Sequence, residues 1–271
     1  MQKSFIWAAI GALVSASAVA GGYYAAQPSR FVSAVEPEVV EVAAGPVDEA
    51  AIEAVVRNYL LRNPEIIQEV QVALEQKEKE AARLASLETI KNAKDLIFNA
   101  ATDGVVGNPN GKTTVVEFYD YNCGFCKRAM ADMQAMTAAD PDLRFVLKEL
   151  PILGPDSQKA HVVSQAFLRL MPEKYPEFHN RLLGGEGRAT EETAILVATS
   201  LGADEAKLRE GMQDPAIHAT FEQAYTLANQ LAITGTPSYV IGDEVVFGAL
   251  GQEVLGQKVA AARASCQTAA C

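Results

Sequence analysis

The sequence predicts an α/β domain with a long helical insertion, preceded by a helical N-terminal segment. Three observations predict this fold class. An apolar run over residues 113–119 is typical of a buried strand, and a helical pattern follows it after Cys126. Residues 156–231 have a helical pattern with breaks at proline and glycine. Two short β-rich runs then flank Gly242–Asp243, a typical two-residue hairpin turn, and a last helix ends near Ala264.

The chain begins with the features of an export signal. Met1–Lys3 is positive, residues 5–20 carry no charge, and Ala18–Ala20 has the small-residue spacing of a cleavage site. We therefore expect residues 1–20 to be a signal peptide. The alternative is an uncleaved inner-membrane anchor, because the uncharged stretch continues to Arg30 and is long enough to span a bilayer. Either signal places the rest of the chain in the periplasm, where disulfides persist.

A linker and a pair of helices are predicted between this signal and the α/β domain. Residues 21–47 contain prolines and glutamates without a helical period and are expected to form the linker. Over residues 48–101 apolar residues recur every three or four positions, and Asn63 followed by proline is typical of an N-cap. The apolar stripe predicts an oligomerisation region, because an apolar helix face outside the main fold must be buried against another protein surface. The alternative is a solvated helix that packs on its own domain.

The α/β domain is expected to cover residues 102–264. Its first strand, at Val105–Val106, is separated from residues 113–119 by the turn signal Asn-Pro-Asn-Gly. After the cysteine-bearing helix, residues 143–147 form the next strand, which predicts a strand–helix–strand unit with parallel pairing.

Composition and charge limit the function. The chain has 271 residues, 49% of them hydrophobic, so it can bury one core and carry a smaller appendage. The net charge of −11 argues against nucleic acid and anionic lipid as partners, because both bind basic surfaces. Four cysteines are too few for a disulfide scaffold, which favours a catalytic role for the closely spaced pair.

That pair is Cys123-Gly124-Phe125-Cys126, at the junction of the buried strand and the next helix. A helix N-terminus offers unpaired N–H groups and a positive dipole end, which favour a thiolate, and the thiolate is the attacking species in disulfide exchange. We expect Cys123 to be the nucleophile. Cys126 lies one helical turn on and can close a disulfide with Cys123 or resolve a mixed one.

Glu117 is the only charged residue in the strand that leads to the cysteines. In a central strand its carboxyl would be desolvated, its pKa raised, and it would exchange protons with Cys126. The alternative is an exposed glutamate on an edge strand. Aromatic residues near the motif are expected to form either an apolar rim for unfolded substrate or part of the core: Tyr119, Tyr121 and Phe125.

A second cysteine pair lies in the tail, residues 265–271. Cys266 and Cys271 are expected to form an incidental disulfide. An alternative joins them to Cys123 and Cys126 as four thiolates for zinc or copper(I). The three histidines show no ligand spacing and are expected to be helix-surface or packing residues, so we predict no metal and no cofactor.

The order of these elements resembles the thioredoxin fold with a helical insertion. With Gly235-Thr236-Pro237 just before the hairpin, residues 102–264 resemble the DsbA family of bacterial periplasmic thiol-disulfide oxidoreductases. The resemblance implies that the peptide bond before Pro237 is cis and faces the active-site disulfide. It also implies that Thr236 and Pro237 hold a substrate strand beside Cys123.

The N-terminal helices are similar to those of the suppressor-of-copper-sensitivity protein C and Com1-type proteins, some of which trimerise and act as disulfide isomerases. Gly124–Phe125 is similar to the Gly-Tyr pair of dedicated isomerases. The resemblance implies a homo-oligomer, with a trimer favoured, that acts on misfolded secreted proteins and is kept reduced by a membrane thiol-disulfide partner. The alternatives are a monomeric dithiol oxidase and a copper- or zinc-binding protein.

Overall fold

The computed structural model of the protein describes residues 48–265. The expected signal peptide, the linker and both tail cysteines, Cys266 and Cys271, lie outside this range. Between residues 48 and 265, no helix is both long enough and apolar enough to cross a membrane.

The first helix, α1 (Glu49–Arg62), is closed at both ends by side chains. Asp48 Oδ1 accepts a hydrogen bond from the Ala51 N–H at 3.4 Å. Asn63 Nδ2 donates to the Tyr59 carbonyl at 2.8 Å, so Asn63 ends α1, and the prediction that it caps the following helix is wrong. No residue of α1 is buried. Its exposed apolar side chains include Ile52, Val55, Val56 and Tyr59.

The second helix, α2 (Glu65–Asn92), is followed directly by the short α3 (Lys94–Phe98). The sequence predicts one helix as far as Asn99, but the backbone leaves the helical conformation at Ala93. The change of direction buries Ile97 and Phe98 completely or nearly so. The N-terminal half of α2 is exposed, whereas its last turns pack on the hairpin and on a helix of the insertion.

Five strands form one mixed sheet with the order β1-β3-β2-β4-β5. The strands β2 and β3 are parallel, which confirms the predicted strand–helix–strand unit, and the other neighbours are antiparallel. Every residue of β2 is buried, because this strand is central and helices cover both of its faces. The strands are β1 (Gly104–Gly107), β2 (Thr113–Tyr119), β3 (Leu143–Glu149), β4 (Ser238–Ile241) and β5 (Glu244–Phe247).

The remaining helices follow the predicted order, with most of them in the insertion between β3 and β4. A 3₁₀ turn at Pro172–Lys174 separates the first two helices of this insertion. The helices are α4 (Gly124–Ala139), α5 (Pro155–Leu170), α6 (Tyr175–Gly184), α7 (Glu191–Ser200), α8 (Glu205–Gly211), α9 (Pro215–Gln230) and α10 (Gln252–Ser265).

Two apolar clusters lie on opposite faces of the sheet. One contains Val115 and Tyr119 of β2 together with both cysteines and residues of α4, α5, α6 and α10. The other contains Val116 and Phe118 together with residues of α2, α3 and α9. The end of the N-terminal helical segment therefore contributes to the core of the α/β domain. A domain boundary at residue 102 would separate these helical residues from the strand residues that they pack against.

Candidate active site

The two cysteines lie at the N-terminus of α4. Cys123 is the N-cap residue, with an extended backbone, and Cys126 is in the first turn. The Cys123 N–H donates to the Asp120 carbonyl at 3.0 Å, while its own carbonyl accepts the first helical hydrogen bond from Lys127. Both cysteines are free thiols; 6% of Cys123 is exposed and none of Cys126. A short strand-to-helix turn thus leaves Cys123 slightly accessible to solvent and Cys126 completely buried beneath it.

The environment of Cys123 favours its thiolate. A hydrogen bond from the Cys126 thiol is the largest cause that lowers the pKa of Cys123 from 9.0 to about 5. The Thr236 hydroxyl and backbone N–H groups at the start of α4 lower the pKa further, and burial opposes them. The attacking species is therefore abundant at neutral pH.

Cys126 has the opposite environment. Burial, followed by the hydrogen bond with Cys123 and the negative charge of Glu117, raises the pKa of Cys126 well above its ordinary value. Cys126 therefore stays a thiol, and a thiol is the form that donates a hydrogen bond to the Cys123 thiolate. This asymmetry supports a nucleophilic role for Cys123 and a resolving role for Cys126.

Thr236 and Pro237 lie beside the outer cysteine. The Thr236–Pro237 peptide bond is cis. In its thiol form, Cys123 donates from Sγ to the Thr236 carbonyl at 3.1 Å. The Pro237 carbonyl accepts a hydrogen bond from the Gly248 N–H at 2.9 Å, which ties the loop to the end of the hairpin. A shallow pocket of about 300 Å³ adjoins this loop, with Phe125 and Phe247 in its walls.

Glu117 is buried beneath the cysteines in the central strand, with 2% of its surface exposed. The predicted burial is confirmed and the edge-strand alternative is wrong, whereas the role of Glu117 stays a prediction. Burial, with the charges of Cys123 and Asp132, raises the pKa of Glu117 to about 8. Its carboxyl makes no hydrogen bond within residues 48–265. The carboxyl is therefore mostly protonated at neutral pH, and it can release and take up a proton at a pH slightly above neutral.

Tyr239 lies opposite Glu117 in the antiparallel β2–β4 pair, and no sequence motif identifies it as a site residue. Its ring is 1% exposed, and its hydroxyl has no hydrogen-bond partner in the described part of the chain. Burial is the main cause that raises the pKa of Tyr239, and the charges of Glu117 and Cys126 add to it. A neutral phenol thus faces the buried acid across the ladder.

The basic residues after the motif have structural contacts. Lys127 Nζ donates to the carbonyls of Gly185 and Gly187 at 2.7 and 3.1 Å, so it holds the loop after α6. The Arg128 guanidinium lies over the Phe125 ring at 4.4 Å from its centre. The phenyl ring of Phe125 is the exposed aromatic of the motif, at 57%.

The loop before the cysteines is fastened to the helical insertion. Asp120 Oδ1 accepts hydrogen bonds from the Asn122 N–H and the Ser157 hydroxyl at 2.8 and 2.7 Å, and Oδ2 accepts from the Leu153 N–H at 3.0 Å. The Asn122 side chain exchanges two hydrogen bonds with the Ala189 backbone. Asp120 and Asn122, two polar residues among the three that precede the Cys-x-x-Cys motif, are the sequence signal that could have identified this anchor.

A buried polar network continues from this loop. The Tyr121 N–H donates to His161 Nε2 at 3.2 Å, and His161 Nδ1 donates to Glu149 at 2.8 Å. Glu149 also accepts hydrogen bonds from Ser164 and Tyr175 at 2.6 and 3.1 Å. Because these donors satisfy the carboxylate, it can stay buried.

The aromatic rings Tyr119 and Tyr121 belong to this interior. Both are completely buried, so they are core residues and do not form a rim for substrate. His161 and His179 are both buried, but His161 takes part in the hydrogen-bond network, whereas His179 is a packing residue whose pKa burial lowers to about 3. Residues 48–265 contain no group of three or more potential metal ligands. The four-thiolate alternative needs Cys266 and Cys271, which lie outside this range.

Known proteins share both parts of this architecture. Residues 114–260 match the DSBA-like thioredoxin domain, and residues 48–81 match the N-terminal domain of copper resistance protein ScsC. The first match covers more than half of the chain.

Solved structures give the same result. A thioredoxin-like oxidoreductase from Silicibacter pomeroyi DSS-3 is 41% identical, with a TM-score of 0.60, over 64% of this chain and 98% of that chain. The thiol-disulfide exchange protein alpha-DsbA2 from Wolbachia pipientis is 31% identical, with a TM-score of 0.61, over 67% of this chain and 97% of that chain. A linker-deletion variant of Proteus mirabilis ScsC is 26% identical, with a TM-score of 0.63, over 83% of this chain and 100% of that chain.

Curated relatives match over shorter stretches. The chain is 25% identical to Na(+)/H(+) antiporter NhaA 3 of Salinispora tropica over 60% of its own length, but it spans only 25% of that relative. It is 25% identical to Disulfide bond formation protein D of Bacillus subtilis over 52% of its own length and 68% of that protein.

The fold is therefore the thioredoxin-like fold of DsbA, extended by an N-terminal helical region. Its homologues include DsbA-like thiol-disulfide oxidoreductases. Residues 114–260 match the family model, and the chain covers almost all of two similar solved structures. The chain therefore belongs to the family of DSBA-like thioredoxin domains.

Proposed function

We propose that the protein is a periplasmic thiol-disulfide oxidoreductase that exchanges disulfides in secreted proteins, acting as an isomerase or reductase through Cys123-Gly124-Phe125-Cys126. One observation carries the proposal: the Cys123 sulfur lies at the N-terminus of α4, 3.1 Å from the Thr236 carbonyl, with the Cys126 thiol beneath it. This arrangement supplies a stable thiolate, a resolving thiol and a backbone edge for substrate.

The reaction begins with attack of the Cys123 thiolate on one sulfur of a substrate disulfide. The substrate S–S bond breaks, a mixed disulfide forms, and the other substrate sulfur leaves as a thiolate that takes a proton from water. Once Cys123 is in the mixed disulfide, its negative charge no longer raises the pKa of Glu117, so the carboxyl ionises more readily. In reduction, Cys126 transfers its proton to this ionised carboxylate and attacks Cys123 Sγ. The second substrate sulfur leaves as a thiolate that takes a proton from water. Two electrons have then passed from the Cys123–Cys126 dithiol to the substrate, and the protein is left with the Cys123–Cys126 disulfide.

In isomerisation a thiolate of the substrate itself attacks the mixed disulfide, so Cys123 is released reduced and no net electrons are transferred. The high pKa of Cys126 favours this route, because a resolving thiol that deprotonates reluctantly leaves time for rearrangement. A membrane dithiol partner would return any oxidised protein to the reduced form.

Oligomerisation through α1 and α2 is part of the proposal. Exposed apolar side chains on α1 include Ile52 and Val56, which line one open groove with Leu60. A helix with no buried residue and an apolar groove is typical of a surface that pairs with other copies. The match of residues 48–81 to the ScsC N-terminal domain supports a homo-oligomer, and the resemblance favours a trimer. Several active sites would then surround one misfolded chain.

A dithiol oxidase is the second candidate, and the low pKa of Cys123 favours it. A stabilised thiolate stabilises the reduced protein, so its disulfide is given up readily to a substrate dithiol. Binding of copper or zinc by the same thiols is a third candidate, which the site geometry does not require.

Refolding of scrambled ribonuclease A by the mature protein tests the proposal. We expect isomerisation by the wild type, no exchange by Cys123→Ser, and accumulation of mixed disulfides by Cys126→Ser, because attack needs only the first thiolate. Equal trapping by both variants would contradict the assigned roles. In the cell, thiol alkylation should find Cys123 mostly reduced if the protein is an isomerase and mostly oxidised if it is an oxidase.

The oligomer is tested separately by light scattering. The double variant Ile52→Glu/Val56→Glu should be monomeric, retain exchange with small disulfides, lose isomerisation and gain oxidase activity. Asn58→Glu, an exposed residue of the same helix, is the matched control and should remain an oligomer. A monomeric wild type in dilute solution would make the oxidase the better interpretation.

A further inference from the structure

A groove of about 670 Å³ lies between the C-terminal half of α2 and the β4–β5 hairpin. The last strand, β5, is the edge of the sheet, so no strand covers its outer side within residues 48–265. Instead, α2 approaches that side and forms the opposite wall. The walls include Ala82, Arg83 and Leu87 on the helix and Asp243, Val245 and Phe247 on the hairpin.

The groove and the shallow pocket of the candidate active site adjoin the same side chain, Phe247. This residue lines both the groove and the shallow pocket beside Thr236 and Pro237. It pairs with Ser238, directly after the cis proline, and 51% of its surface is exposed. From this shared residue the groove runs along β5 to the hairpin turn at Asp243. A substrate chain attached to Cys123 would therefore enter the groove by passing over Phe247.

The size and charge of the groove define what it can hold. Four residues of β5 span about 13 Å, which is the length of roughly four residues of extended chain. Two of its rim charges are paired, since Arg83 binds Glu80 at 2.8 Å and Lys258 binds Glu244 at 2.5 Å. Asp243, at the turn, has no ion pair within residues 48–265. The floor between these rim charges is largely apolar. An extended, apolar stretch of polypeptide fits an uncovered edge strand and an apolar floor of this length.

We propose that this groove binds an extended apolar segment of the substrate polypeptide next to its reacting cysteine, so that α2 forms one wall of the substrate site. The inference rests on the proposed function, because it assumes that Cys123 reacts with protein disulfides. It assigns α2 a second role besides oligomerisation: its C-terminal half selects unfolded chains over small disulfides. Substrates with several apolar residues beside the cysteine are preferred.

Blocking the groove tests the proposal. The probes are oxidised glutathione and a fluorescent twelve-residue peptide with valine and leucine on both sides of a cysteine in mixed disulfide with glutathione. In the reduced full-length protein, Ala82→Trp should lower the rate constant for the peptide about tenfold and leave that for glutathione within twofold. A tenfold loss is about 1.4 kcal/mol, the burial of about two methylene groups.

The matched control is Ala85→Trp, an exposed alanine of the same helix that does not line the groove, which should leave both rate constants within twofold. Ala82→Glu, which adds a charge instead of a ring, should reproduce the selective loss if Ala82→Trp misfolds. An unchanged peptide rate, or equal losses with both probes, would overturn the groove proposal and leave the proposed function intact.

Two further outcomes are distinct from these. If the wild type does not react with oxidised glutathione at all, the proposed function fails and the groove proposal with it. If Ala82→Trp changes the molar mass in light scattering and spares the peptide reaction, the groove is a contact between copies of the chain, and the substrate proposal is wrong.

Discussion

Removing the thiol of Cys126 should raise the pKa of Cys123, because the hydrogen bond from Cys126 is the largest cause of its low value of about 5. A hydrogen bond to a charged group contributes about 1.5–3 kcal/mol, and one pKa unit corresponds to about 1.4 kcal/mol. In Cys126→Ala, the pKa of Cys123 should therefore rise by about one to two units. At pH 6 the thiolate fraction would fall from about 90% to between about 50% and 10%.

The assay is the pH dependence of thiolate absorbance at 240 nm, with the rate of alkylation by iodoacetamide as a second measurement. Cys126→Ser is the matched control, because its hydroxyl can still donate a hydrogen bond, and its midpoint should stay within about half a unit of the wild type. If Cys126→Ala titrates at the same pH as the wild type, the thiolate depends on the helix N-terminus and the Thr236 hydroxyl, and the reasoning is refuted.

Three other substitutions test the surroundings of the cysteines. Glu117→Gln should slow resolution of mixed disulfides about tenfold above pH 8. It should also raise the free energy of unfolding by roughly 3 kcal/mol at pH 7, since the carboxyl holds its proton to about pH 8 when folded but only to about 4.5 when unfolded. Wild-type stability should accordingly fall between pH 4.5 and 8, and a flat profile in urea unfolding would disprove the raised pKa. Tyr239→Phe should keep or raise stability in the same assay, because its buried hydroxyl has no partner in the described chain; a loss above about 1 kcal/mol would reveal a partner. Asn122→Ala should lower the free energy of unfolding by about 1–3 kcal/mol, because the Ala189 N–H and carbonyl would lose their hydrogen-bond partners. Unchanged thermal unfolding would show that the anchor is dispensable.

Local patterns predicted much of this structure. The buried run of β2, the cysteines at the start of α4 and the Gly242–Asp243 turn each follow from a few neighbouring residues. The burial of Glu117 could be predicted because apolar residues surround it in a central strand. The resemblance added Pro237, which is 114 residues away from Cys123 in the sequence.

Contacts between distant residues were not predictable in this way. His161 reaches Tyr121 across 40 positions, and no periodicity indicates that pairing. Tyr239 faces Glu117 only because of the register of β2 and β4. The break at Ala93 was missed because alanine favours a helix, and it is the burial of the next few side chains that ends α2 there.

The hydrogen bond from the Tyr121 backbone to His161 limits how the active site can be transplanted. The strand, the motif and the first turn of α4 are contiguous in the sequence, so in protein engineering they could be moved to another protein as one segment. Their orientation, however, is set by Asp120, Asn122 and Tyr121 through partners in the helical insertion. A graft of the four-residue motif onto a minimal scaffold would therefore transfer the sulfur chemistry without the geometry that presents it.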